Sequence, residues 1–145
     1  MSEPGADTYA LFQEGRRRLR DGMPAQATVP LERARSAEPG KASIREALGI
    51  AYFRLRRWHD AEEEFRAVLD VSPVDAYAHY ALARCLDRQG HTAEANGHYK
   101  LAGVLELGAP GSLGAPGGPG VPGSHGGPDG SGGPGLGDLP DERRN

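Results

Sequence analysis

Between Ile44 and Leu55 the apolar residues Ile44, Leu48, Ala51, Tyr52 and Leu55 recur every three or four positions. That spacing gathers side chains on one face of an α-helix, unlike the alternation of a strand. After a polar break at Arg56-Arg57 the rhythm resumes with Ala61, Phe65, Val68 and Leu69. Shifting the chain on itself by 34 residues brings Pro39 onto Pro73 and Leu107, Ala27 onto Ala61 and Ala95, Leu31 onto Phe65 and Tyr99, and Ala34 onto Val68 and Ala102. Gly15, Gly49 and Ala83 align in the same way, as do Ala10, Ile44 and Ala78. Self-similarity at such a period marks a solenoid of stacked units. Each unit predicts two helices, the first ending at Asp21-Gly22 or Gln89-Gly90 and the second at Glu38-Pro39-Gly40 or Ser72-Pro73. Asp7 and Asp75 stand just before first helices, where a carboxylate caps free backbone N–H groups.

The small columns set the packing. Gly15, Gly49 and Ala83 on first helices, with Ala27, Ala61 and Ala95 on second ones, let backbones approach, and Leu31, Phe65 and Tyr99 are expected to fill the gap between units. Burying each such side chain contributes about 1.5–3 kcal/mol. No hairpin covers its own apolar face, so stability comes from neighbour stacking. The single cysteine, Cys85, excludes an intramolecular disulfide and a cysteine-only zinc site, and is expected to pack as a small hydrophobe.

A 34-residue unit carrying Leu48-Gly49, Tyr52, Trp58, Ala61, Phe65 and Pro73 resembles a tetratricopeptide repeat. The third unit keeps Leu82, Ala83, Leu86, Ala95, Tyr99 and Ala102, whereas the first carries Glu14 and Arg18 where Leu48 and Tyr52 stand later. The resemblance covers residues 7–107 as three repeats, about 8–41, 42–75 and 76–107. It implies an all-α, right-handed superhelical solenoid of helix-turn-helix repeats, whose first helices line a concave groove holding a peptide or a partner helix.

If the first helices line that groove, the face opposite the packing columns offers Tyr9, Phe12, Arg16 and Arg20, then Glu46, Ile50, Phe53 and Arg54, then Tyr77, Tyr80, Arg84 and Arg88. Aromatics with arginines are the composition of binding hot spots, and guanidinium pairs bidentately with carboxylate, so the fitting partner has apolar anchors and acidic side chains. The plainer alternative makes Tyr9, Phe12, Ile50 and Phe53 core between neighbouring first helices and the arginines a solvated face. Some members of the family grip a C-terminal carboxylate with a Lys/Asn clamp. Here Phe12, Arg16, Ala47, Tyr77 and Ala81 occupy the comparable face, and Asn96 falls on a second helix, so that mode is not expected.

Charge and composition narrow the function. Residues 1–107 carry 15 basic and 16 acidic side chains, which removes the broad positive field of non-specific nucleic-acid binding. The run Arg16-Arg17-Arg18-Leu19-Arg20 and the acids Glu62-Glu63-Glu64 read as solvated helix surface, the latter complementing a helix N-terminus. His59, His79, His91, His98 and His125 form no metal-ligand spacing; His91 and His98, two turns apart, read as exposed polar residues. With no phosphate loop or nucleophile elbow either, no enzyme activity, cofactor or metal is expected. The absence of an apolar h-region and of a long apolar run makes the cytoplasm the expected location, with no membrane partner.

From Gly108 onward, 14 Gly and 7 Pro crowd into 38 residues, and glycine opens seven consecutive triplets from Gly108 to Pro128. Glycine at every third place is the collagen requirement, but proline stands only at the third position, so a disordered, partly polyproline-like tether is expected over residues 108–145. Before it, Leu101, Val104, Leu105 and Leu107 leave a face of the last helix open to self-association. The reading is a non-catalytic interaction adaptor; the alternatives are a small chaperone for a specific client, or a structural oligomer built through the last helix or the tail.

Overall fold

A computed structural model describes residues 4–108; residues 1–3 and everything from 109 onward, including the glycine triplets, lie outside the described residues. Six helices follow one another: α1 (Pro4–Arg20), α2 (Pro24–Ala37), α3 (Ala42–Arg54), α4 (Trp58–Val71), α5 (Ala76–Arg88) and α6 (Thr92–Gly108). No strand occurs among the described residues. The helices pair as hairpins, α1 with α2, α3 with α4 and α5 with α6, and each second helix also packs on the first helix of the next unit through α2–α3 and α4–α5 contacts. This is the solenoid expected from the period.

The turns show why the breaks fall where they do. Gly22, Arg56 and Gly90, each 34 residues from the next, adopt φ of 77°, 63° and 87°. One residue later the backbone N–H of Met23, Arg57 and His91 bonds back to the carbonyl of Arg18, Tyr52 and Leu86, at 2.8, 2.9 and 2.9 Å. This is the left-handed stop that closes a helix C-terminus, where glycine is favoured because it has no Cβ. The middle repeat accepts the strain of an arginine there. At the other end, Asp75 caps α5 as expected, accepting from Ala78 N at 2.9 Å. Asp7 does not cap α1: the helix starts at Pro4, where a fixed φ suits the first turn, and Asp7 lies inside that turn.

The core is a slab between the two helix layers, with Leu31, Ile44, Leu48, Phe53, Phe65, Val68, Leu82, Cys85 and Leu86 fully enclosed. The glycine column works within each hairpin. A Cβ on Gly15 would lie 2.3 Å from Leu31 Cγ, and one on Gly49 would lie 2.7 Å from two atoms of the Phe65 ring. Leu31 and Phe65 therefore fill the space inside a unit first. Phe65 also reaches the next unit, edge-on to Tyr77 with ring centres 6.2 Å apart.

A polar network stitches the second helices. Glu64, expected to be solvated, is 3 % exposed and ion-paired to Arg35 of α2 and, at 3.1 Å, to Arg45 of α3. Its neighbours Ala61, Phe65 and Val68 mark the same buried stripe, because positions three and four apart share a helix face. Tyr52 donates to Glu32, and burial, reinforced by that bond, pushes its hydroxyl up to about 12. Burial alone would raise Glu62, but hydrogen bonds from Gln89 and Arg66 hold it below the usual carboxylate range. No helix among the described residues is long and apolar enough to cross a membrane. Leu101 and Val104 are exposed on α6, the face on which self-association was expected.

Candidate functional site

The first helices stand side by side. Arg54, the last residue of α3, donates to Leu19 O near the end of α1 at 2.8 Å, and the Arg84 guanidinium of α5 lies 5.5 Å from the centre of the Phe53 ring of α3.

The third repeat gathers its candidates into a cluster. Arg84 donates to Tyr80 OH at 2.7 Å and lies 5.6 Å from the Tyr80 ring centre and 5.5 Å from that of Phe53. Tyr80 leans on Tyr99 of α6 at 5.9 Å, and Arg88 lies 4.9 Å over Trp58. Tyr77 and Tyr80 are half-buried and Arg88 is exposed. Rings and guanidiniums held this way have little side-chain freedom left to lose on binding.

The other candidates divide. Tyr9 is 63 % exposed, and Arg16 lies 5.6 Å over a half-buried Phe12. Glu46 is half-buried. Ile50 and Phe53 follow the plainer alternative: at 4 % and 0 % exposure they are core and cannot touch a partner. The reason is position, since α3 is covered by α2, α4 and its neighbouring first helices, whereas α1 has fewer neighbours and leaves Tyr9 in solvent. Arg20, Arg54 and Arg88 end α1, α3 and α5 respectively and stand 34 residues apart. Arg88 of the cluster therefore has an equivalent at the end of each other first helix, of which Arg54 is spent in part on Leu19 O. Trp58, a repeat residue, also belongs to the cluster. Its contact with Arg88 joins residues 30 apart on successive units, which helical spacing alone does not signal.

The histidines depart from expectation. His91 is exposed as expected, but His98 is half-buried: its Nδ1 lies 3.0 Å from Nδ1 of the buried His79, the rings stacked at 5.2 Å. Among the described residues no group of three or more His, Cys, Asp or Glu side chains is arranged to hold a metal ion.

Residues 46–102 match the family model for the tetratricopeptide repeat. The chain is 28 % identical over 97 residues to Superkiller complex protein 3 of Mus musculus, spanning 67 % of this chain and only 6 % of that much longer relative. Among solved structures it resembles a mutant of MamA with a TM-score of 0.65 and 26 % identity, covering 68 % of this chain and 72 % of the other. The fold alone is shared with the CopN-Scc3 complex, at TM-score 0.69 and 17 % identity over 73 % and 62 % of the two chains. It is shared too with the first tetratricopeptide domain of Spaghetti bound to an HSP90 peptide, at 0.67 and 18 % over 74 % and 86 %. With three stacked helical hairpins, the 34-residue columns and these likenesses in agreement, the chain is a tetratricopeptide-repeat protein.

Proposed function

We propose that this protein is a non-catalytic interaction adaptor that binds a partner segment bearing apolar anchors and acidic side chains across the face of α1, α3 and α5. The observation carrying this reading is the Arg84 guanidinium, held against the rings of Phe53 and Tyr80 and flanked by Arg88 over Trp58. Guanidinium groups pair well with carboxylates, and the half-buried rings of Tyr80 and Trp58 offer flat apolar contact, while the enclosed Phe53 serves only as a platform for Arg84. Arg20, Arg54 and Arg88, which end α1, α3 and α5, place one arginine per repeat at the same end of the first helices, which suits an acidic segment. Solenoids of this fold are known in the CopN-Scc3 complex and with a bound HSP90 peptide, which supports a protein partner. The face here lacks a Lys/Asn clamp, so the anchoring chemistry is this chain's own.

Replacing Tyr80 and Arg84 together with Ala is expected to weaken capture of the native partner by about 30-fold or more, the equivalent of one strong hot spot. Helical circular dichroism should stay that of the parent. Unchanged capture by a fully helical variant rejects this face as the binding surface.

A further inference from the structure

The contact between His79 and His98 repeats, one unit further on, a contact in the middle of the protein. In the second repeat Arg45 of α3 donates through Nε to Pro39 O at 2.8 Å and through Nη1 to Glu64 of α4 at 3.1 Å. Adding 34 to each number gives Pro73, His79 and His98. His79 Nε2 lies 2.9 Å from Pro73 O and its Nδ1 lies 3.0 Å from His98 Nδ1. The same three-point tie, from the preceding turn through the first helix to the second, is thus built twice. In the second repeat it is an ion pair with one permanently charged partner; in the third it is two imidazoles.

The protonation state follows from the geometry. A carbonyl oxygen only accepts, so His79 Nε2 carries the hydrogen toward Pro73, and in the neutral ring Nδ1 is then bare. His98 Nδ1–H donates to it. A first added proton can settle on Nε2 of His98 without breaking this bond, but it places a cation in a half-buried site where burial, His79 and Arg66 all disfavour it. A second proton has no such place: it puts hydrogens on both Nδ1 atoms and like charges on stacked rings, and the tie breaks.

We propose that the His79–His98 pair is a pH-sensitive latch that holds α6 on α5, released by acidification while the middle repeat stays closed. The charged groups around it come from several elements. Arg66 of α4 disfavours a cation on His98, Glu94 of α6 favours one, and Asp75 caps α5 one turn before His79. Arg66 is itself tied to Glu62 and, at 3.0 Å, to Glu94, so the acid is partly neutralised. Burial first, then His79 and Arg66, hold His98 below its ordinary value of 6.5. A group depressed in the folded state stabilises fully above its unfolded value. That contribution is lost as pH falls from about 6.5 through the lowered folded value. The direction agrees with opening in acid. Because Tyr99 on α6 backs Tyr80, release also loosens one wall of the proposed binding face, but the latch does not depend on that reading.

The test is amide hydrogen exchange of the full chain at about pH 8 and about pH 5, corrected for the intrinsic rate, with α4 as internal reference. In the parent, α6 protection relative to α4 is expected to fall about tenfold or more on acidification. The double variant His79→Arg with His98→Glu, which copies the tie of the second repeat, is expected to keep α6 protected at both pH values. His98→Asn, whose amide can donate its N–H to neutral His79 or, turned over, accept from protonated His79 through its oxygen, serves if the double variant fails to fold. Parallel changes in α4 and α6 of the parent, or equal acid loss of α6 protection in the folded variant, overturns the latch.

Discussion

Replacing Phe65 with Ala lowers the unfolding free energy by about 3–5 kcal/mol, measured by chemical denaturation with helicity as the signal. The ring is fully buried, lies against Gly49 inside its own hairpin and meets Tyr77 of the next one edge-on. Its loss therefore opens a cavity within the middle repeat and weakens the contact with the third. A single domain of this size has roughly 5–15 kcal/mol in all, so the variant sits close to unfolding at room temperature. The glycine provides the control. In the parent, Gly49→Ala gains about 1 kcal/mol of helix propensity but sets a Cβ 2.7 Å from a ring with no room to move, which costs about 1–3 kcal/mol. With Phe65→Ala already present the clash is gone, and Gly49→Ala is expected to stabilise. A double-mutant cycle should show coupling of about 1 kcal/mol or more. Additive effects would mean that the two residues do not share this space.

Glu64→Ala is expected to cost about 2–3 kcal/mol, although a surface glutamate in a helix would be near neutral. The carboxylate is almost wholly enclosed and receives charged hydrogen bonds from α2 and from α3. Arg35 and Arg45 are partly exposed, so after the substitution their guanidiniums turn to water rather than remain buried and unpaired. That keeps the cost below that of an orphaned interior charge. Thermal denaturation at moderate and at high salt separates the contributions. A buried pair is screened little, so the difference between parent and variant should persist at high salt. A difference that vanishes with salt would return Glu64 to the solvated surface assigned from the sequence.

These residues show which features the sequence carried openly. The repeat period, the helix breaks, the Gly49 and Phe65 columns and the enclosure of Cys85 follow from spacing and size, because backbone approach and burial act through the same positions in every unit. Polar ties were hidden for a different reason. Arg45 with Glu64 and His79 with His98 join columns 19 residues apart on two helices, and nothing in either helix alone distinguishes them from solvated side chains. Only the two pairs together, set one repeat apart, disclose the design. On the candidate face, Tyr80, Arg84 and Arg88 proved to be one cluster, whereas Ile50 and Phe53 proved to be core. Apolar spacing marks a helix's buried stripe but not its width, and the width grows where neighbours flank a helix on both sides, as they do α3.

The central claim, that the α1, α3 and α5 face receives the partner, is tested most directly by site-specific photo-crosslinking in the native extract. A photoreactive phenylalanine analogue at Tyr80 is compared with the same analogue at Val29, which is exposed on α2 in the outer layer. The account predicts a discrete crosslinked partner from position 80 that disappears when Arg84 and Arg88 are replaced by Ala, and none from position 29. The same partner crosslinked from position 29, with position 80 silent, would contradict it.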